Sequence, residues 1–232
     1  MKRFYKTAEA VETPAGWTVT LDERPIRTPA KAVFVTPGRA LAAAAAEEWA
    51  AQETQVKPAE MPITRAVNTA IDRTAPEHEA VVEIVAAYGG TDLVSYRANA
   101  PAALRARQEA AWDPLVSWVE AAHGARLVVT TGVMHALQPE EGQRRLKAAV
   151  AAHDAFRLTA LYDLAALSGS LVIALAVAAR RLEAEEGWRL SRVDESWQEE
   201  FWGVDAEAAA MAAKKKRDFK AAALFLDLLE KD

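Results

Sequence analysis

The sequence predicts an α+β protein, with a small antiparallel β domain at residues 1–36 and a larger, mostly α-helical domain at residues 37–232. Three observations carry this reading. Strict alternation of apolar and polar residues, the period of a half-buried strand, is confined to the first 35 positions. Beyond Thr36-Pro37 apolar residues recur at three and four, the period of a helix face. Proline and glycine then fall where helices start and stop.

Trp17-Thr18-Val19-Thr20-Leu21 alternates as a strand, Asp22-Glu23-Arg24 reads as its turn, and Ala32-Val33-Phe34-Val35 as a further short strand. Thr36-Pro37 offers an N-cap and a first-turn proline for a helix whose Leu41, Ala45 and Trp49 share a stripe. Pro62 opens a second helix with Ile63, Val67, Ala70, Ile71 and Thr74 on one face and Arg65, Asn68, Asp72 and Arg73 elsewhere. Pro76 opens a third, with Val81, Ile84, Val85 and Tyr88 inward and Gly89-Gly90 as its stop.

Pro101 starts a helix through Leu104, Gln108, Ala111 and Trp112, and Asp113-Pro114 predicts a kink or break before a second stretch ending at Gly124. A strand is expected at 126–131, pairing with the N-terminal sheet or lying at its edge, since a lone strand is not stable. Helices are then expected over 139–153, 154–167, 168–186, 191–202 and from Asp205. Leu158 to Ala179 is the most apolar stretch, but Asp163 and Ser168-Gly169-Ser170 interrupt it, so a buried core helix is expected and not a membrane span.

With 51% hydrophobic and 26% charged residues, the chain has the composition of a folded globular protein. A net charge of -5 argues against nucleic acid as a partner, because phosphate contacts need clustered Lys and Arg. The absence of cysteine removes disulfides, thiolate metal sites and a Cys nucleophile together. Met1-Lys2-Arg3-Phe4-Tyr5-Lys6 has neither an apolar signal core nor a transit composition, so no cleaved leader and a cytoplasmic location are expected.

The residues show no catalytic constellation. Neither phosphate-binding glycine motif occurs, so Gly89-Gly90 is a helix stop. His78, His123, His135 and His153 are scattered without metal-ligand spacing, and no cofactor is expected. Ser168-Gly169-Ser170 lacks the frame of a nucleophile turn and reads as small-residue helix packing. Glu47-Glu48 and Asp22-Glu23 diverge along their elements and read as solvated surface, as does Lys214-Lys215-Lys216-Arg217.

Ser191 to Gly203 is more informative. Val193, Trp197 and Phe201 form one apolar stripe, while Glu195, Gln198, Glu199 and Trp202 lie on the other side. An aromatic among acids on a second face marks an interaction surface, since large aromatics dominate binding hot spots. The alternative is a sandwiched helix burying both faces.

Further pieces occur in a telling order: Lys2-Arg3-Phe4-Tyr5-Lys6, Leu21-Asp22-Glu23-Arg24-Pro25-Ile26-Arg27-Thr28-Pro29, Glu48-Trp49-Ala50-Ala51-Gln52, Met61-Pro62-Ile63-Thr64-Arg65 and Asn68-Thr69-Ala70-Ile71-Asp72. Asp92-Leu93 with Tyr96-Arg97, Gln108 with Trp112-Asp113-Pro114, Ser168-Gly169-Ser170-Leu171, and Asp194-Glu195 with Gln198, Trp202 and Gly203 follow. In these the chain resembles, over nearly its whole length, the assembly chaperones of the α subunit of the F-type ATP synthase, found in mitochondria and some bacteria.

The resemblance implies a β domain followed by a helical domain, no enzymatic activity, and a transient one-to-one complex that shields the unassembled α subunit until the β subunit arrives. It places the family's important acidic residue on Glu195, so Glu195, Asp194 and Gln198 are expected to set polar register and Trp202 to anchor the partner. It also implies a bacterial cytoplasmic member, with eukaryotic relatives in the mitochondrial matrix. Glu23 departs from the pattern, which carries glycine there.

The rival expectation is a small-molecule enzyme or ligand binder with a cleft between the β and helical parts faced by Arg65, Asn68 and Asp72. Those residues equally suit a buried hydrogen-bond network joining the domains.

Overall fold

A computed structural model describes residues 2–231; Met1 and Asp232, at the outer ends of the two expected domains, lie outside the described residues. Strand β1 (Ala8–Thr13) pairs antiparallel with β2 (Gly16–Leu21), setting Ala8 opposite Leu21 and Thr13 opposite Gly16, and β2 pairs antiparallel with β3 (Arg24–Pro25). Helix α1 (Arg39–Ala50) lies against β1 and β2. The small antiparallel sheet followed by mainly helical chain is the α+β build expected.

Asp22 and Glu23 form the two-residue loop between β2 and β3, both with positive φ, 47° and 68°. That is the backbone of a type I′ turn, whose twist matches the strands it joins. The Asp22 carboxylate accepts from the Lys6 and Thr7 amides, both at 2.9 Å, and the Thr7 amide above all holds its pKa below the usual carboxylate value. Glu23 bears the left-handed conformation with a Cβ, which costs about 1–2 kcal/mol. Glu23→Gly should therefore raise stability by about 1 kcal/mol in urea denaturation; an unchanged or lower midpoint would contradict the strain.

Several sequence expectations are corrected. Ala32–Val35 is not a strand. It is extended chain held by single bridges, Val33 to Arg27 and Thr36 to Trp17, with the Thr18 hydroxyl donating to the Phe34 carbonyl at 2.5 Å. Thr36 does not cap α1. Its backbone exchanges both hydrogen bonds with Trp17, so Gly38 is the N-cap. Glu48 is not solvated surface: its carboxylate reaches from α1 to the start of α2 (Pro62–Thr69), accepting from the Ile63 and Thr64 amides at 2.6 and 2.7 Å. Those amides have no partner inside their own helix, which is why the chain supplies one from outside. Burial nevertheless raises the Glu48 pKa.

Helix α2 continues as a single wide turn over Ala70–Thr74. Helix α3 (His78–Ala87) buries Val82, Val85 and Ala86, a stripe rotated from the expected one, which leaves Ile84 52% exposed. The break expected at Asp113-Pro114 does not occur: α4 runs unbroken over Ala102–His123. Proline's φ suits a helix, and its missing amide costs one bond. Trp112, Leu115 and Val119 stay buried on both sides of it, and Gly124 closes the helix with φ 67°.

The expected strand at 126–131 is reduced to β5 (Thr130–Thr131), and its partner is β4 (Tyr96–Arg97), in parallel, instead of the N-terminal sheet. Upstream, the side chain of Gln138 donates to the Val128 carbonyl and accepts from its amide, satisfying the backbone a strand would otherwise pair. Helices α5 (Glu140–Ala151) and α6 (Ala155–Ser168) follow.

The helix expected over 168–186 is two, α7 (Leu171–Ala178) and α8 (Ala184–Leu190). Arg180 turns left-handed at φ 55°, and the Arg181 and Leu182 amides both return to the Ala176 carbonyl. Gly187 lies inside α8, not at a helix end; a Cβ there would stand 2.7 Å from a Val177 methyl, so glycine permits the close approach of α8 to α7. Ser168-Gly169-Ser170 is a capped turn between α6 and α7, with Ser170 Oγ accepting from the Ile173 amide at 3.0 Å. Residues 171–177 are buried on every side, as befits a core helix. Among the described residues no helix is long and apolar enough to cross a membrane. Helices α9 (Val193–Trp202) and α10 (Ala206–Leu229) complete the chain.

Two compact units emerge. The first holds the described residues up to His78, Asp154–Ala160 and those from Ala221 onward, with Val19, Phe34, Leu41, Val67 and Phe225 in its core. The second holds Glu79–His153 and Leu161–Lys220, around Trp112, Leu146, Leu164, α7 and Phe219.

Candidate functional site

In the second unit, the turn before β4 is pinned by a buried acid. The Asp92 carboxylate, 0% exposed, accepts from the Val94 amide at 3.1 Å and from the Val172 amide, in the first turn of α7, at 3.0 Å. Burial pushes its pKa up to about 6, while hydrogen bonds from Ser170 and the backbone amides oppose the rise. This anchor fixes the segment that delivers Arg97.

Arg97 is 4% exposed, and its guanidinium lies 5.2 Å from the centre of the Trp112 ring. It donates to the Val94 and Tyr96 carbonyls at 2.7 and 3.0 Å and to the Asp113 carboxylate at 2.5 Å, while its Nε has no acceptor among the described residues. Asp113, read from sequence as part of a kink or break, is thus the counter-charge of a buried arginine. The Trp112 indole donates to the Leu190 carbonyl at 2.9 Å.

Next to them Gln108, also buried, accepts from the Ala98 amide at 2.7 Å and donates to Asp194 at 2.6 Å. These side chains wall a cleft of about 520 Å³ that Leu93, Leu104, Val133 and Gln198 also line. Val133, 98% exposed, begins an apolar stretch with Met134 and Leu137, both well exposed.

Helix α9 divides its residues among three environments. Asp194 and Gln198 face the cleft. Glu195 accepts from Arg192 at 2.7 Å, and Arg192 also stands 3.8 Å from Glu199. At the far end the Trp197 and Phe201 rings meet at a tilt of 34° with centres 4.6 Å apart, and Arg107 lies 4.8 Å from the centre of the Trp197 ring. Arg107 also grips Glu200 through two bonds of 2.6 and 2.8 Å, which hold the Glu200 carboxyl below its usual pKa.

Phe201 does not complete a core stripe with Val193. It is 62% exposed and Trp202 is 78% exposed, with Val204 and Met211 exposed beside them in the chain. The helix therefore does not bury both faces; among its described residues Val193 is the buried one, while Arg107 holds its far end through Glu200 and Trp197. Periodicity marked Phe201 as apolar but carries no information on where the covering layer ends.

The remaining sequence candidates lie in the first unit and do not line the cleft. Asp72 accepts from the Thr28 hydroxyl at 2.6 Å and the Ala30 amide at 3.0 Å, tying the turn after α2 to the chain that follows β3. Asn68 has a buried carbonyl oxygen with no partner among the described residues, and Arg65 is exposed, its charge acting on Glu48. Arg97, Gln108 and Trp112 stand in the sequence motifs, but nothing in their spacing assigns them to a cleft. Val133, Met134 and Leu137 escape sequence reasoning altogether, because they lie in irregular chain with no periodicity to mark them.

A family model described as ATP12 chaperone protein matches residues 2–120. The crystal structure of Atp12 from Paracoccus denitrificans is 44% identical, with a TM-score of 0.95 over 99% of this chain and 98% of that one. A mutant of P. denitrificans Atp12p is 43% identical over the same shares at the same TM-score. The Atu1473 protein of Agrobacterium tumefaciens is 41% identical, again at 0.95, over 99% of this chain and 86% of that one. Match to the family model over half the chain, together with identity and fold shared along nearly all of it, establishes that this chain belongs to the ATP12 chaperone protein family.

Proposed function

We propose that this protein is a non-enzymatic chaperone that binds the unassembled α subunit of the F-type ATP synthase in the bacterial cytoplasm. It prevents self-association of that subunit until the β subunit arrives. The observation that carries the reading is the exposed aromatic end of α9 in a member of a chaperone family: Phe201 and Trp202, with Val204 and Met211, present apolar surface that a monomer gains nothing by exposing. Glu195, Asp194 and Gln198 supply the polar register around the Trp202 anchor.

Release follows from mass action. A one-to-one complex that covers only part of the α subunit's assembly face yields to a partner offering a larger matching interface. No catalytic step or cofactor enters this cycle.

Size-exclusion chromatography with freshly refolded α subunit tests the proposal, with β subunit and an unrelated unfolded protein as controls. Co-elution with α alone, dispersed by adding β, is the expected result. No complex, or equal capture of every control, would remove the assignment.

A further inference from the structure

The cleft of the second unit has a chemistry distinct from the aromatic end of α9. Its walls are mostly apolar, from Leu93, Ala98, Leu104 and Val133, and its volume of about 520 Å³ is that of a small-ligand pocket. Tyr96, Arg97, Asn99, Gln108, Asp194 and Gln198 are its polar lining, and Asp194 is the one carboxylate among them. The guanidinium nitrogens at the tip of Arg97 are committed to Asp113 and to two carbonyls. Gln108 is held at both ends, by the Ala98 amide and by Asp194. The carboxylate of Asp194 is aimed by this buried amide, and the hydrogen bond it takes among the described residues comes from that neutral group alone. By contrast its neighbour Glu195 is matched by Arg192.

We infer that the cleft receives a lysine side chain presented on an extended segment of the protein partner, its alkyl stem between Leu104 and Val133 and its ammonium on Asp194. An occupant with an apolar stem and a cationic tip matches both the walls and the unneutralised charge. Arginine fits less well. Its fork gains most from two free carboxylate oxygens, and Gln108 already occupies one oxygen of Asp194. The ammonium, a compact point charge, needs only the other.

This inference rests on the reading of the protein as a chaperone with a protein partner, and its test separates the two. The full chain, labelled with 15N, is titrated with the capped pentapeptide acetyl-Ala-Leu-Lys-Leu-Ala-amide and with its norleucine and arginine counterparts. The Gln108 side-chain amide, the Ala98 amide and the Trp112 indole resonances are followed. Saturable shifts of all three with the lysine peptide are expected, with affinity at least about tenfold weaker for norleucine and reduced for arginine. Asp194→Asn, which keeps the shape and an acceptor for Gln108, should abolish the preference for lysine over norleucine.

Shifts absent from these three groups, or equal for lysine and norleucine peptides in the unmodified protein, would overturn the inference without recourse to any variant. If the cleft discriminates lysine but the chain fails to hold refolded α subunit, the cleft stands and the partner assignment falls. If Asp194→Asn holds the α subunit as well as the unmodified chain does, the partner assignment stands and the cleft plays no part in it.

Discussion

Asp92→Ala should cost about 3–5 kcal/mol of stability, enough to leave the second unit marginal at 25 °C. The carboxylate is wholly buried and accepts from two amides, Val94 at the turn before β4 and Val172 at the start of α7. Alanine leaves both amides buried without an acceptor, at about 1–3 kcal/mol each, and adds a void where the carboxyl stood. Chemical denaturation followed by tryptophan fluorescence reads the loss, and a change below about 1 kcal/mol would show that water enters to replace the carboxylate.

The same residue gives stability a pH dependence whose sign is fixed by its environment. Burial lifts the Asp92 pKa from its ordinary value of 3.8 to about 6, so the folded protein binds the proton more tightly than the unfolded chain. This contribution is fully present below the unfolded value and is lost as pH rises through about 6, by up to about 3 kcal/mol at 1.36 kcal/mol per unit. Carboxylates with lowered pKa, Asp22, Glu141, Glu185, Glu186 and Glu200, act in the opposite sense, losing their stabilisation as pH falls through their folded values. Asp92→Asn removes the titrating group, so the slope between pH 4 and 7 should flatten in that variant; an unaltered slope would assign it to another group.

Trp202→Ala should weaken capture of the α subunit by about thirtyfold or more, the loss of about 2 kcal/mol or more expected when an aromatic hot spot is truncated. The side chain is 78% exposed, so the fold should be indifferent to the change, within about 0.5 kcal/mol. Separation of the two readouts is the point of the experiment: an unchanged melting temperature with a raised dissociation constant identifies a binding residue. Undiminished capture by a folded Trp202→Ala protein would move the anchor elsewhere, with Phe201 and the Val133, Met134 and Leu137 stretch the next surfaces to alter.

Much of the fold was legible because local rules and tertiary structure agree. The alternation of Trp17 to Leu21 is β2, Pro62 opens α2, Gly124 closes α4, and the apolar run around Leu171 to Val177 is a core helix. In three places where prediction failed, a partner distant in sequence had overridden the local signal. Thr36 looks like a cap until Trp17 takes its backbone, Glu48 looks solvated until the start of α2 needs an acceptor, and Asp113-Pro114 looks like a break until Arg97 claims the aspartate.

The candidate site divides along the same line. That the segment from Val193 to Trp202 is a helix carrying aromatics beside acids follows from residue types and a period near 3.6, which are properties of the chain itself. Which of those aromatics is exposed, and that Asp194 joins Gln108, 86 positions away, while the adjacent Glu195 keeps to the local Arg192, is decided by what packs against the helix. Periodicity sorts side chains by face because the backbone repeats locally. Only the packed structure decides what stands opposite each face, because burial and charge pairing are set by neighbours that the local repeat does not encode.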